Sequence, residues 1–309
     1  IDFLVVLGIL GAFIFFLGFA LLFPVGIDLI YAEDTWHSFL ISAGIAFISG
    51  GLLWWLFKPT EEIRIREGFM VVALTWITLS LVGALPFIIS GILPSYTDAV
   101  FETMSGLTTT GSTIMGGITS TGFQNPNIES LPHSFLFWRS LAQWLGGMGI
   151  IVLSLAILPL LGIGGMQLFQ AESPGPTADK LTPRVQETAK LLWVVYLALT
   201  ALEFMLLWLH PSMNWFDALN HAFTSLASGG FSTKDDSIAA FDSAYIDVIV
   251  TLFMFLSGVN FAMHFRLFKG DMSTFFNNRE TRFYTFVTVI GIFIITFSLW
   301  YFDGRTLLG

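Results

Sequence analysis

Long apolar runs separated by short polar connections dominate the chain. Seven runs have the length of a membrane-spanning helix, since about 20 residues cross the hydrocarbon core. They cover residues 3–23, 36–57, 69–91, 134–161, 188–209, 243–268 and 283–302. The first run is longer than the apolar core of a secretory signal peptide and no basic segment precedes it, so we expect it to be retained. The pattern predicts an all-α polytopic membrane protein with seven spans.

The composition supports this prediction and excludes several kinds of chemistry. Hydrophobic residues make up 55% of the chain and charged residues 11%, whereas soluble domains contain about 45–50% and about 25%. The chain has no cysteine, which excludes disulfides, thiolate catalysis and cysteine-ligated zinc. The five histidines lack the spacing of a helical metal site. No basic patch with interleaved aromatic residues suggests nucleic acid binding.

The distribution of basic residues predicts the orientation. Ten of the 13 Lys and Arg residues fall in alternate connections, which the positive-inside rule places in the cytoplasm together with the N-terminus. These ten are Lys58, Arg64, Arg66, Lys180, Arg184, Lys190, Arg266, Lys269, Arg279 and Arg282. The opposite connections are acidic. That acidity would concentrate cations outside, although simple tolerance of acids on that side explains it equally well.

Two polar segments, 95–117 and 212–234, are too short to cross the bilayer and too apolar for ordinary loops. They align without a gap when the first is shifted by 119 positions. The alignment pairs Asp98 with Asp217, Ala99 with Ala218, Leu107 with Leu226 and Gly111 with Gly230. Each copy lies between an outward and an inward span, so the repeated unit is a span, a short pore helix, a glycine-containing stretch and a second span.

The repeat predicts a cation filter. Non-helical backbone at membrane depth is tolerated only where it is buried in protein or lines a water-filled cavity. Glycine adopts backbone angles that turn successive carbonyls toward an axis, and a ring of carbonyls replaces the hydration shell of a cation. The predicted filter residues are Thr109, Thr110, Gly111, Ser112, Ser228, Gly229, Gly230 and Phe231. Asp98 and Asp217 are expected at the N-termini of the two pore helices, where a carboxylate suits the helix dipole.

Several motifs resemble a known family over essentially the whole chain. They include "REGFMVV" (66–72), "FETMSGLTTTGST" (101–113), "QWLGGMGIIVL" (143–153) and "SGGFSTKDDSI" (228–238). The chain resembles the TrkH branch of the Trk/Ktr/HKT superfamily of potassium transporters. The resemblance implies a potassium-channel-like pore of four span, pore-helix, span repeats, with Gly111 and Gly230 as the key glycines of two filters.

The resemblance also implies the function and its partners. It implies potassium uptake, as a symporter or a channel, across the bacterial inner membrane. Potassium would be the substrate, held by filter carbonyls only, with no cofactor and no catalytic residue. The implied partners are a second copy in a homodimer, the lipid bilayer, and a cytosolic nucleotide-binding regulatory subunit of the TrkA type. That subunit would gate uptake and dock on the loop "SPGPTADKLTP" (173–183).

The same resemblance suggests four divisions of the chain. Residues 1–60 would form two extra N-terminal helices, 61–170 the first repeat, and 171–275 the second repeat. Residues 276–309 would form the first span of a third, incomplete repeat. Since the family has four repeats, we expect the chain to be part of a longer protein.

Two charges lie deep within predicted spans. At about 1.5 Å per residue, Arg139 and Glu203 are each roughly 8–9 Å inside the outer end of their spans. Their equal depth predicts an ion pair that braces the two repeats; separate snorkelling to the surface or contact with polar backbone is the alternative. The small residues of "GGMG" (146–149) and "GIGG" (162–165) favour close helix packing.

Two other functions remain open from the residues alone. An intramembrane hydrolase would use Ser228 or Ser232 as its nucleophile, and such a serine needs a base within hydrogen-bond reach. His264 is some twenty residues further along an inward span, so that pairing is disfavoured. The other alternative is a cation channel or transporter that does not select potassium.

Overall fold

A computed structural model describes residues 2–57, 65–118, 122, 124–157, 181–268 and 270–303. These residues form α-helices, two short 3-10 helices at Ile128–Ser130 and Ser237–Phe241, and connections. The α-helices are α1 (Phe3–Tyr31), α2 (Trp36–Leu56), α3 (Ile65–Gly83), α4 (Leu85–Ile89), α5 (Tyr96–Leu107), α6 (His133–Ile157), α7 (Leu181–Trp208), α8 (Trp215–Leu226), α9 (Ala244–Ser257), α10 (Phe261–Phe268), α11 (Met272–Asn277) and α12 (Arg279–Asp303).

Five helical segments among the described residues are long and apolar enough to cross a membrane. They are Phe3–Tyr31, Trp36–Leu56, Glu67–Ile89, Lys190–Trp208 and Arg279–Tyr301. The predicted span 134–161 corresponds to α6, and its last four residues lie outside the described part of the chain. The count of seven spans therefore stays a prediction.

The predicted single span 243–268 is wrong as one helix. It is two helices, α9 and α10, separated at residues 258–260. A Cβ at Gly258 would overlap the hydroxyl of Tyr284 on α12, and the same hydroxyl donates to the carbonyl of Phe255 at 3.3 Å. The sequence carries a local sign of the interruption, since Gly258 and Asn260 break the apolar run there.

Helices α1 and α2 form a close hairpin because glycines meet at their crossing. A Cβ at Gly50 would lie 2.7 Å from the Gly11 carbonyl oxygen, so the two backbones are in direct contact there. The hairpin joins the main hydrophobic core through Leu21 and Phe39, which are fully buried with Phe135 of α6. Helices α1 and α2 thus pack on α6, the helix that follows the first polar stretch.

The two short helices match in length and position. Helix α5 and helix α8 each contain 12 residues, and their first and last residues are 119 positions apart. Their N-caps, Ser95 and Asn214, keep the same offset. The repeat found in the sequence is therefore a repeat in the structure. Its use as a pair of pore helices is taken up below.

Helix α6 lies between the ends of both short helices. A Cβ at Gly146 would overlap the carbonyl of Leu107, the last residue of α5, and a Cβ at Gly147 would lie 3.1 Å from the Cβ of Ala227, just after α8. The predicted role of "GGMG" in close packing is thereby confirmed, whereas "GIGG" lies outside the described residues.

The predicted divisions of the chain stay predictions. The proposed boundaries at residues 60 and 170 lie outside the described residues. The boundary at residue 275 falls within α11. The described helices α1 and α2 lie before the first boundary, and α12 lies after the last.

The hairpin generates the first prediction. Gly50→Leu should force α1 and α2 apart and destabilise the protein by about 1–3 kcal/mol, the usual range for overpacking. Gly44→Leu, on the same helix but with no atom within 4 Å of its Cβ position, is the matched control. Thermal unfolding in detergent should show a lower melting temperature for Gly50→Leu only. Equal melting temperatures would contradict the close crossing.

Candidate functional site

Each short helix ends in a hairpin-like turn of the backbone. The N–H groups of Thr110 and Gly111 both donate to the carbonyl of Ser105 in α5, at 2.9 and 3.4 Å. The N–H groups of Gly229 and Gly230 donate to the carbonyl of Thr224 at the same two distances. These three residues lie 119 positions after their counterparts in the first stretch. The two stretches therefore have the same local fold despite sharing few side chains.

These bonds fix where the carbonyls point. A trans peptide holds its C=O antiparallel to its N–H, and cis peptides are absent from the described residues. Because the N–H groups of Thr110 and Gly111 turn back to α5, the carbonyls of Thr109 and Thr110 point away from that helix. By the same argument the carbonyls of Ser228 and Gly229 point away from α8. The backbone oxygens of the two stretches thus point away from the short helices α5 and α8.

The backbone of both stretches is strained at the same positions. Thr109 has φ 56° and Ser228 has φ 53°, followed two residues later by Gly111 at 77° and Gly230 at 80°. Positive φ is rare for residues with a side chain, above all for a β-branched threonine, and costs about 1–2 kcal/mol. Such outliers concentrate at functional sites when the surrounding structure holds them.

The two stretches meet. A Cβ at Gly111 would overlap the carbonyl oxygen of Gly229, so only glycine permits this approach. Behind the contact lies Gln143 of α6, which is fully buried and accepts a hydrogen bond from the N–H of Phe231 at 3.1 Å. Ser112 is exposed, and its carbonyl accepts from the Ser105 hydroxyl at 2.5 Å. All eight residues predicted for the filter therefore lie in these two stretches.

Clustered acidic, histidine or cysteine side chains are the usual alternative to a cation site built from backbone oxygens. Clusters of three or more His, Cys, Asp or Glu residues that could hold a metal ion are absent from the described part of the chain. The polar atoms that the two stretches offer are backbone carbonyls and the hydroxyls of threonine and serine. These are hard oxygen donors, which suit a weakly held cation such as an alkali metal ion.

Asp98 and Asp217 lie in the first turns of α5 and α8, as the sequence indicated. The N-caps of the two helices are Ser95 and Asn214. The N–H of Asp98 donates to Ser95 Oγ at 3.4 Å, and the N–H of Asp217 donates to Asn214 Oδ1 at 2.8 Å. The carboxylate of Asp217 accepts from the hydroxyl of Thr233 at 2.6 Å. Asp217 therefore ties the start of α8 to the chain just after its glycine-containing stretch.

The predicted Arg139–Glu203 ion pair is wrong. Arg139 Nε donates to Glu102 Oε1 at 2.8 Å, and both side chains are buried. Glu203, also buried, accepts from the hydroxyl of Ser225 instead. Equal depth was a poor guide because depth does not fix which neighbouring helix a side chain points to. Helix α6 packs on both α5 and α7, and Arg139 points to Glu102 of α5.

Glu102 also braces the first stretch, a role that the sequence did not reveal. It accepts from the hydroxyl of Thr113 at 2.9 Å and from the N–H of Ile114 at 3.0 Å. The only sequence signal was its alignment with a second polar residue, His221.

His221 does the equivalent work in the second copy. Its Nδ1 lies 2.7 Å from the carbonyl of Asp217, so Nδ1 carries the proton and Nε2 accepts from the hydroxyl of Ser232 at 2.9 Å. Ser232 follows Thr113 by 119 positions. Both stretches are thus held at the same point to the middle of their own short helix, by different chemistry.

Comparisons with known proteins agree with this architecture. Residues 37–302 match the family model described as "TrkH: Cation transport protein". The Trk system potassium uptake protein TrkH of Halomonas elongata is 43% identical over 300 residues, which is 96% of this chain and 60% of that protein. The protein of the same name from Escherichia coli K12 is 43% identical over 298 residues, covering 95% of this chain and 59% of that protein.

A solved structure shows the same fold. The crystal structure of the potassium transporter TrkH from Vibrio parahaemolyticus matches with a TM-score of 0.85 and 35% sequence identity, over 99% of this chain and 61% of that one. This chain therefore spans about 60% of the length of these relatives. With the family model matching most of its length and its helices fitting a membrane transporter, the chain belongs to the TrkH family of cation transport proteins.

Proposed function

We propose that residues 108–113 and 227–232 form two selectivity filters of a potassium uptake protein. The observation that carries this proposal is the matched pair of strained stretches, whose carbonyls point away from the short helices and which meet at Gly111 and Gly229. The relatives are named potassium uptake proteins. The function therefore rests on a backbone geometry that suits a dehydrated cation and on the family to which the chain belongs.

The physical reason is the exchange of water for carbonyl oxygens. A cation entering the pore loses its hydration shell, and a ring of backbone carbonyls replaces it. The C-terminal ends of α5 and α8 both lead directly into the stretches, so the negative ends of two helix dipoles lie beside the site. Both effects favour a cation without any acidic side chain in the filter.

The membrane and the direction of transport follow from the charges. We place the protein in the bacterial inner membrane with its N-terminus in the cytoplasm, because the basic residues gather in alternate connections. The opposite connections are acidic and would raise the local cation concentration at the outer mouth. A cation that enters from that side would move down the membrane potential.

The proposal includes two partners. The relatives belong to Trk systems by name, which supports a cytosolic nucleotide-binding subunit of the TrkA type as the gating partner. Its expected docking loop, 173–183, lies outside the described residues, apart from the last three of these, which begin α7. A second copy of the protein completes the proposed assembly as a homodimer.

One contact bears on the hydrolase alternative. The hydroxyl of Ser232 lies 2.9 Å from His221 Nε2, the arrangement of a nucleophile and its base. Both residues are buried, and Ser232 Oγ also accepts from the N–H of Lys234 at 3.0 Å. Thr113 and Glu102 make the equivalent contact in the first copy. The pair is therefore better explained as one of two braces.

The filter assignment generates a second prediction. Gly111→Ser and Gly230→Ser should both weaken the preference for K⁺ over Na⁺, because a Cβ disfavours positive φ by about 1–2 kcal/mol. Gly111→Ser should be the more severe, since its Cβ would also overlap the Gly229 carbonyl, whereas no atom lies within 4 Å of the Cβ position at Gly230. K⁺ uptake by cells that lack their own systems, with and without competing Na⁺, measures the effect.

Gly91→Ser is the matched control for backbone strain. Gly91 has φ 76° and open space around its Cβ position, but it lies in the turn after α4. It should leave ion preference unchanged. Unaltered K⁺ preference in both filter variants would refute the assignment, and an equal loss in Gly91→Ser would attribute the effect to general instability.

The brace interpretation generates a third prediction. Ser228→Ala and Ser232→Ala should retain K⁺ uptake, because the proposed filter uses backbone carbonyls and not these hydroxyls. Ser232→Ala should lose about 1–3 kcal/mol of stability with the two hydrogen bonds of its hydroxyl. A fluorophosphonate probe should not label the wild-type protein. Stoichiometric labelling that disappears in Ser232→Ala would support the hydrolase instead.

A further inference from the structure

Arg139 contacts both filter stretches at once. Its Nε donates to Glu102 Oε1 at 2.8 Å, and its Nη2 donates to Thr113 Oγ1 at 3.2 Å, both in the first copy. Its Nη1 donates to the carbonyl of Ser232 at 3.1 Å, and its Cζ lies 4.2 Å from the centroid of the Phe231 ring, both in the second copy. One buried guanidinium therefore bonds to the C-terminal ends of both glycine-containing stretches.

Neutralising a buried acid explains only half of these contacts. Glu102 is buried and needs a cation nearby, which accounts for the Nε bond. It does not account for the two contacts with the second copy. In the second copy His221 takes the place of Glu102, and the buried carboxylates of Asp217 and Glu203 accept hydrogen bonds from Thr233 and Ser225 rather than from Arg139.

A second residue of α6 holds the same part of the second copy. Gln143 lies one helical turn after Arg139, on the same face of α6. Its Oε1 accepts from the N–H of Phe231, while Arg139 donates to the carbonyl of Ser232. Phe231 and Ser232, the two residues directly after Gly230, are therefore both hydrogen-bonded to α6, a helix of the first repeat.

We propose that Arg139 is a positioning residue that sets the second filter stretch relative to the first and thereby determines cation preference. The inference rests on the proposed function of the two stretches. Preference between cations depends on the number, spacing and stiffness of the coordinating carbonyls. The Arg139 guanidinium bonds to Glu102 and Thr113 on one side and to Ser232 on the other, so it fixes the spacing between the carbonyls of two different stretches.

Arg139→Lys separates positioning from charge. Lysine keeps the positive charge beside Glu102, but its single ammonium lacks the planar fork that reaches three acceptors. In the natural full-length protein, we expect Arg139→Lys to retain K⁺ uptake while its preference for K⁺ over Na⁺ falls about tenfold, the effect of one lost hydrogen bond to a charged group. Wild-type preference in Arg139→Lys would mean that charge alone matters and would overturn the proposal.

Gln143→Leu is a second, independent variant that changes no charge. It removes the acceptor for the Phe231 N–H and should lower the K⁺ preference in the same direction. It decides the question if Arg139→Lys fails to accumulate in the membrane: unchanged preference in Gln143→Leu would then overturn the proposal. Ser140→Ala is the control, because among the described residues the buried Ser140 hydroxyl bonds only to the carbonyl of Leu136 in its own helix, at 3.1 Å.

The assay is K⁺ uptake by potassium-uptake-deficient cells at graded Na⁺, normalised to the amount of protein in the membrane. The control and the wild type should share one K⁺ preference, and the two variants should lose it at comparable protein levels. Selective wild-type uptake with unchanged variants would refute the positioning role alone. Absence of K⁺-selective uptake in the wild type would refute the proposed function and, with it, the inference.

Discussion

Two N–H groups that turn back onto the end of a short helix determine the rest of the site. Ser105 and Thr224 each accept two such bonds, and the planar trans peptide then directs the preceding carbonyls away from the helix. The bonds require positive φ at Thr109 and Ser228, which is costly, and at two glycines, where it is not. The short helices, their capping residues and the braces at Glu102 and His221 all stabilise this strained turn.

Helix α6 connects the two copies into one site. Along a single face it presents Arg139, Gln143 and the glycine pair 146–147, which contact the filter stretches and the ends of both short helices. Backbone contact at the glycines sets the distance between the helices, and the polar pair sets the position of the second stretch. An arginine inside the membrane is expensive, and here each guanidinium nitrogen donates to Glu102 or to one of the two proposed filter stretches.

Much of the fold and of the candidate site was predictable from residue types, and the predictions that were wrong failed for definite physical reasons. The offset of 119 located both short helices and the glycines at positive φ, because local backbone geometry follows local sequence. The partner of Arg139 was not predictable, since depth along a span does not reveal which neighbouring helix a side chain points to. The break between α9 and α10 was missed because averaged hydropathy hides the local signal of Gly258 and Asn260. The bracing role of His221 depends on its tautomer, which only the neighbouring carbonyl of Asp217 determines.

The most direct test of the central claim is to locate the ion. Anomalous diffraction from crystals of the full-length protein soaked in Rb⁺ or Tl⁺ would show where a potassium-like ion binds. The account predicts a peak coordinated by backbone carbonyl oxygens of both stretches, beside Thr110 and Gly229, that excess K⁺ displaces more readily than excess Na⁺ does. A peak held by carboxylate side chains, with none beside the two stretches, would contradict it.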